Sequence, residues 1–381
     1  MGRARDIANL INSNTFLTPA SASVTYQGAP NRNLIINGAM QVAQRATSIA
    51  SITTSGYRTA DRWGLSFAGA QNFGTWTQSV ENDGPSGSEF AKSLKMLCTT
   101  AQASPASSAA LILFQAIEGQ NLQGIKKGTS AAQTLTVSFW VKSNIVGTYI
   151  CSLLDENNSI GFPPYGTAIA RTYTVNTIDT WERKTLTFSA GTSGVIPNST
   201  GAGLRLYHWL GAGSSYQSGT LNSTWASNAP GTEAVGQVNL ASAINNYWQI
   251  TGIQLEIGST ATPFELKSYA QNLEECQRYY QTLSYVFGTC ISTTTIVGRC
   301  MFPVAMRSAP STVTSTGVLN WQEDGLGSNT TQSSIGTTNN NSQPESLNAV
   351  FTNFTGLTAG RHGTLAYPGN NSNRIIANAE I

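Results

Sequence analysis

Along several stretches of this chain apolar residues recur at every second position, the period required by a strand with one buried face. Leu135-Thr136-Val137-Ser138-Phe139-Trp140-Val141-Lys142 alternates in this way, as do Thr185-Leu186-Thr187-Phe188 and Leu204-Arg205-Leu206-Tyr207. A longer run, Tyr247 to Ile257, stops at Gly258, and Asn33-Leu34-Ile35-Ile36-Asn37-Gly38 reads as a strand closed by an Asn-Gly turn. Loops rich in Gly, Ser, Asn and Pro fall between them at 82–88, 190–203 and 211–232. Many short strands with polar turns predict a sandwich or jelly roll rather than alternating β-α-β units.

Helical spacing is sustained at one place only. Tyr269, Leu273, Cys276 and Tyr280 form an apolar stripe, which predicts a helix over about Ser268 to Leu283. Ser268 is placed to cap it, and Glu274 and Glu275 precede Arg278 at salt-bridge spacing. The stripe either lies on a neighbouring domain or packs against copies of itself about a symmetry axis, as a short coiled coil would. Strand signals then return at Tyr285 to Ile291, Ile296 to Val304, Ala349 to Phe354 and Arg374 to Ala377. Residues 325–346 read as a mobile polar loop, and His362, in Ala359-Gly360-Arg361-His362-Gly363, as part of a turn. The expected architecture is mainly β: a jelly-roll β-sandwich (33–266), a short connecting helix (267–284) and a smaller C-terminal β domain (285–381).

Composition narrows the function. Only 10% of the residues are charged and the net charge is +2, so the basic face of a nucleic-acid-binding chain is missing. Ser, Thr and Asn make up roughly 30%, a hydroxyl- and amide-rich surface. With 40% hydrophobic residues, 8 Trp, 13 Tyr and 13 Phe, the chain has enough to fill a core. No apolar run is long enough for a membrane-spanning helix. Cys98, Cys151, Cys276, Cys290 and Cys300 are odd in number and lack Cys-x-x-Cys spacing, which fits buried free thiols made in a reducing compartment. Met1 to Asp6 is charged, but no apolar segment follows as in a secretory signal. Ile7, Leu10 and Ile11 share one face of a short amphipathic helix that needs a docking surface, and an extended linker follows up to residue 32.

Asn33 to Arg45, with Tyr57 and Asp61-Arg62-Trp63, resembles the opening of bacteriophage tail-fibre and virion-appendage proteins. Gln249 to Gly258, continuing through Thr262-Pro263-Phe264-Glu265 to Cys276-Gln277-Arg278-Tyr279-Tyr280, is similar to the closing signature of that family. Phe302 to Arg307 and Ile376 to Ile381 resemble its C-terminal unit. The resemblance implies a jelly roll like that of carbohydrate-binding modules, a homotrimer, a place in the virion after assembly in the host cytoplasm, and a host-surface glycan or protein receptor. It also implies that Ile7, Leu10 and Ile11 dock on other virion proteins of tail or capsid. Modules of this kind often carry calcium-binding acidic residues after the Asn-Gly. Here Ala39, Met40 and Gln41 hold those positions, so no metal or cofactor is expected. Asp155-Glu156-Asn157-Asn158 lacks the spacing of a calcium loop and reads as a solvated turn.

No nucleophile elbow, phosphate-binding loop or His-Glu-x-x-His helix occurs, and no catalytic residue is expected. Binding has the better case, because indole faces stack on sugar rings while Asn, Gln and Ser pair with hydroxyls. Trp140, Trp248 and His208 read as core, and Trp181 as core or rim. Trp209, Tyr216 and Trp225 are the expected ligand contacts, Trp225 being the best exposed candidate, in a long polar loop that Trp209 and Tyr216 flank. Tyr269, Leu273, Cys276 and Tyr280 are the expected oligomer interface. Three functions remain open: a tail fibre or spike, a capsid decoration protein, or a free carbohydrate-binding module.

Overall fold

The computed structural model describes residues 31–69, 73–155, 166–316, 319–324, 329–332, 336–339, 341–366 and 374–381. Ile7, Leu10 and Ile11, with their expected helix, lie outside these residues. No helix among the described residues is long and apolar enough to cross a membrane.

The strands of the first unit are β1 (Ser48–Ile52), β2 (Gly56–Tyr57), β3 (Gly64–Ala68), β4 (Thr75–Glu81), β5 (Ser93–Thr100), β6 (Ala110–Glu118) and β7 (Leu135–Ser143). There follow β8 (Gly147–Asp155), β9 (Thr167–Val175), β10 (Glu182–Phe188), β11 (Ala202–Ala212), β12 (Ala226–Ser227) and β13 (Tyr247–Ile257). They build two antiparallel sheets, one in the order β1-β4-β5-β13-β7-β10 and the other β12-β9-β8-β11-β6-β3-β2. This is the jelly-roll sandwich that the alternating strands predict. Leu135, Val137, Phe139 and Val141 of β7 and Trp248, Ile250 and Leu255 of β13 point into the core between the sheets. His208 is buried there among the rings of Trp63, Phe139 and Trp248, as expected.

The Asn33 to Gly38 segment departs from expectation, being an extended loop and turn instead of a strand. Its polar side chains satisfy backbone groups of β13: the Asn33 amide donates to Ile253 O (3.1 Å), and its oxygen accepts from Leu255 N (3.1 Å). Gly38 approaches β13 so closely that a Cβ would stand 2.1 Å from Ile253 O.

After the sandwich comes one helix, α1 (Tyr269–Gln277), opened by a reciprocal capping box between Ser268 and Gln271. It ends well short of Leu283. Tyr280 starts strand β14 (Tyr280–Leu283), whose partner lies almost a hundred residues onward, so pairing outweighs the local periodicity. Glu275 pairs with Lys267 (2.7 Å) and Arg278 with Glu118 (2.9 Å), replacing the expected pairing within the helix.

The remaining strands are β15 (Tyr285–Cys290), β16 (Ile296–Met301), β17 (Thr312–Thr316), β18 (Leu319–Glu323), β19 (Asn329–Gln332), β20 (Gly336–Asn339), β21 (Ser346–Thr352), β22 (His362–Ala366) and β23 (Arg374–Asn378). They form a three-stranded sheet, β14-β23-β17, and a seven-stranded one, β19-β18-β22-β15-β16-β21-β20, around a second core that includes Trp321, Phe351 and Phe354. Two expectations change. The polar 325–346 stretch contributes β19 and β20 to the sheet, and His362 opens β22 instead of lying in a turn. Thr330, Thr331, Thr337 and Thr338 are β-branched, which suits both segments to strands.

Residues of the sequence signatures converge where the two cores meet. Asp61 accepts from Gln44 N (3.0 Å), Glu118 accepts from the Tyr279 hydroxyl (2.6 Å), and Arg307 donates to Thr200 O (3.0 Å). Arg62 lies over the Tyr279 ring at 3.4 Å from its centroid, and Arg45 over Tyr280 at 3.7 Å. Burial raises the Asp61 carboxyl to about 6 despite the opposing charge of Arg45. The signatures therefore encode a buried polar joint.

Candidate functional site

The seven-stranded sheet of the sandwich is covered on its outer face. The loop after β11 lies across it, and Trp209, Tyr216 and Ala234 join Ile112, Ile150 and Tyr207 in a small apolar layer. Trp209 is 0% and Tyr216 5% exposed, with ring centroids 5.5 Å apart. The Trp209 indole donates to Ser152 Oγ (3.2 Å), and burial pushes the Tyr216 phenol up to about 12. Neither ring has a face for a sugar, so the expected role of both as ligand contacts is corrected. Trp225 is half-buried: its indole donates to Ser189 O (2.8 Å), and Lys127 Nζ lies 4.5 Å from its ring. Lys127 in turn pairs with Asp155 (2.6 Å) in a buried bridge, so Asp155 is no solvated turn residue, while Glu156, Asn157 and Asn158 lie outside the described residues.

The expected oligomer stripe is also partly used up. Cys276 is buried and Tyr280 is 5% exposed within the chain, because both pack at the joint between the cores. Of the four, only Tyr269, at 58%, is fully exposed, and Leu273 is half-buried. The cysteines are free, four buried and Cys300 half-buried.

The six-stranded sheet presents a different outer face. In β7, strand parity sends Phe139 and Val141 inward with Leu135 and Val137, so Trp140 and Lys142 point outward. Trp140 pairs in register with Arg183 of β10 and Thr251 of β13, and Lys142 with Gln249. The next register pairs add Lys95 of β5 and Ser79 of β4, which makes a polar row across the sheet.

Asp83, in the turn after β4, holds this row together. It accepts from Lys142 Nζ, from Gln249 Nε2 (3.2 Å) and from the Trp181 indole (3.4 Å). Partial burial would raise its pKa, but the hydrogen bonds from Lys142 and Trp181 and the Lys142 charge prevail and hold it below the usual carboxylate range. Lys142 also lies 5.1 Å from the Trp181 ring centroid, and Lys95 4.7 Å from that of Tyr247. The Tyr247 hydroxyl donates to Asp179 (2.6 Å), which raises its pKa together with burial.

Beside this row lies a groove of about 420 Å³, within the usual range for small-ligand sites. Trp140 and Phe264 supply its aromatic surface, Arg183 and Glu89 its charges, and Ser138 and Thr262 its hydroxyls. Its form depends on a bulge in β13. Gly252 adopts φ +63°, and a Cβ there would stand 2.6 Å from the Phe90 ring. Phe90 can therefore lie on the bulge, where it meets Phe264 edge to face at 4.9 Å. Half-exposed aromatic surface beside fixed donors and acceptors suits a ligand with apolar C–H faces and many hydroxyls.

Sequence reasoning placed Trp140 in the core and gave Trp181 no binding role. The signal for Trp140 was present, since it shares parity with Thr136, Ser138 and Lys142, the polar set of its strand.

No protein-family model matches the chain, and no curated protein matches it. Among solved structures it is similar to the enzymatically active domain of tailspike protein 4 of bacteriophage CBA120, at 13% identity and TM-score 0.31 over 60% of this chain. The match spans 22% of that tailspike chain. It is similar to the CBM22-2 xylan-binding domain of Paenibacillus barcinonensis Xyn10C, at 14% identity and TM-score 0.28 over 52% of this chain and 92% of the other. A third similarity is to the family 11 carbohydrate-binding module of a Clostridium thermocellum cellulosomal cellulase, at 7% identity and TM-score 0.28 over 56% and 98% of the two chains.

Proposed function

We propose that this protein is a non-catalytic attachment subunit of a phage particle, a tail fibre or spike, and that it binds a host-surface glycan on the outer face of its six-stranded sheet. One observation carries the binding reading: Trp140 stands half-exposed in a groove beside Ser138 and Arg183, all three mounted on the paired strands β7 and β10. Side chains on rigid strands lose little entropy when a ligand arrives, which favours a weakly held sugar. The virion reading rests on the signature resemblance, with residues 1–32 joining the chain to other virion proteins. A homotrimer would present several such grooves at once and convert weak single contacts into firm attachment.

Glycan-array screening of the full chain tests the binding reading. Binding to at least one glycan class, lost in both Trp140→Ala and Arg183→Ala at unchanged thermal stability, is the expected result. Binding that survives both substitutions places the site elsewhere, and a silent array across bacterial surface glycans removes the glycan reading.

A further inference from the structure

The seven-stranded sheet of the C-terminal unit packs one face on the second core and, along β15 and β16, leaves the other exposed. In β15 and β16, Val286, Cys290 and Ile296 point inward, while Tyr285, Phe287, Val297, Arg299 and Met301 point outward. Tyr285, Phe287, Ile291 and Met301 are 56%, 59%, 58% and 71% exposed, a concentration of large apolar side chains on one face. Tyr285 and Phe287 meet edge to face at 5.6 Å, and a groove of about 450 Å³ runs over Phe287, Ile291 and Val297. Contiguous apolar surface of this kind marks an interaction site.

The groove is flanked by opposite charges. Arg299 stands on β16, and Asp324 directly follows β18, with His362 of β22 beside it. Two strands, β22 and β15, separate the charged flanks. At about 4.8 Å per strand they lie roughly 14 Å apart, too far to pair with each other. Neither Arg299 nor Asp324 has an ion-pair partner among the described residues.

We infer that this face is covered by further copies of the same chain, arranged about a rotation axis that runs along the groove. The charges select that occupant. A face of one sign would call for a partner of the other sign, whereas a face with one sign on each flank is complementary to a rotated copy of itself. Rotation brings Arg299 of one copy to Asp324 of the next and leaves Phe287, Ile291 and Val297 near the axis. Burial of the apolar strip supplies the affinity, and the charge pairs set the register. The inference rests on the oligomer of the proposed function, to which it assigns an interface, and is independent of glycan binding by the single chain, whose groove lies on another sheet. An unchanged mass in folded Arg299→Asp would overturn the interface alone.

Light scattering on the full chain tests it. The wild type is expected at a multiple of 40.4 kDa, and Arg299→Asp and Phe287→Ser at 40.4 kDa. The double exchange, Arg299→Asp with Asp324→Arg, should restore the wild-type mass, which a merely structural role for either residue would not produce. Thermal melting and the far-ultraviolet circular dichroism of each variant, compared with the wild type, establish that it is folded. A wild type at 40.4 kDa, an unchanged mass in folded Arg299→Asp, or a double exchange that stays dissociated overturns the inference.

Discussion

Arg62 and Glu380, 318 positions apart in sequence, form an ion pair with side chains only 1% and 4% exposed. Arg45 joins the same carboxylate at 3.1 Å, and Arg62 also donates to Ala116 O at 2.6 Å. The pair links the turn between β2 and β3 of the sandwich to the chain just beyond β23, the last strand of the C-terminal unit. Removing one partner from a buried pair strands the other in a poorly solvating interior, at a cost of about 3 to 5 kcal/mol. Glu380→Leu should therefore lower stability by that order in denaturant unfolding. Adding Arg62→Met should recover much of the loss, because the stranded charge is then gone. Equal losses in the single and double variants would show that the pair does not act as a unit.

Trp140 and Trp209 should separate binding from stability. Trp140→Ala removes a half-exposed ring from the groove and is expected to weaken glycan binding 10- to 100-fold, or about 1.4 to 2.8 kcal/mol, with little change in melting temperature. Trp209→Ala empties a buried site, so it should cost about 3 to 5 kcal/mol of stability and leave affinity of the folded protein intact. Calorimetric titration and thermal melting read the two effects independently.

Gly252→Ala tests whether the bulge shapes the groove. The left-handed backbone and the Phe90 ring 2.6 Å from the new Cβ together predict a loss of roughly 2 to 4 kcal/mol. Because Phe90 must move and Phe264 rests against it, affinity should fall as well. A variant that loses stability but binds normally would detach the groove from the bulge.

Burial lowers the His208 pKa from 6.5 to about 3. Below 6.5 the unfolded chain takes up a proton that the native ring refuses, so this contribution to stability is present above 6.5 and is lost as pH falls towards 3. At pH 5 the loss amounts to at most about 2 kcal/mol. Asp61, raised to about 6, and Glu233, raised to about 7 mainly by burial, act in the opposite sense, since their contributions fade as pH rises through those values. The difference between wild type and His208→Leu isolates the histidine. That variant should gain relative stability between pH 7 and pH 5, as measured by urea unfolding at each pH.

Period-two patterning was sufficient to locate β7, β11 and β13, because one buried face imposes the same constraint at every second residue. It also held the clue to Trp140, which residue type alone obscured: tryptophan is usually buried, but parity decides the face. The end of α1 was not legible. Tyr280 continues the helical spacing, yet β23 claims it as a strand residue, and that partner is remote in sequence. The burial of Trp209 and Tyr216 was hidden for a similar reason, since it depends on where a long loop lies across a sheet. Asn33 looked like a strand residue because its neighbours are β-branched, but its side chain replaces the ladder it would have joined.

Strand β13 lies between β5 and β7 although it is the last strand of the sandwich to leave the ribosome. Until it arrives, the β4-β5 ribbon and the β7-β10 ribbon have no common neighbour. The 114 residues that follow Ser143 up to Ile257 take roughly 6 to 23 s to synthesise at about 5 to 20 residues per second. Throughout that interval two apolar strands expose the edges that β13 will occupy. The nascent sandwich is thus most vulnerable to aggregation in mid-synthesis, and β13 closes the sheet by inserting at its centre.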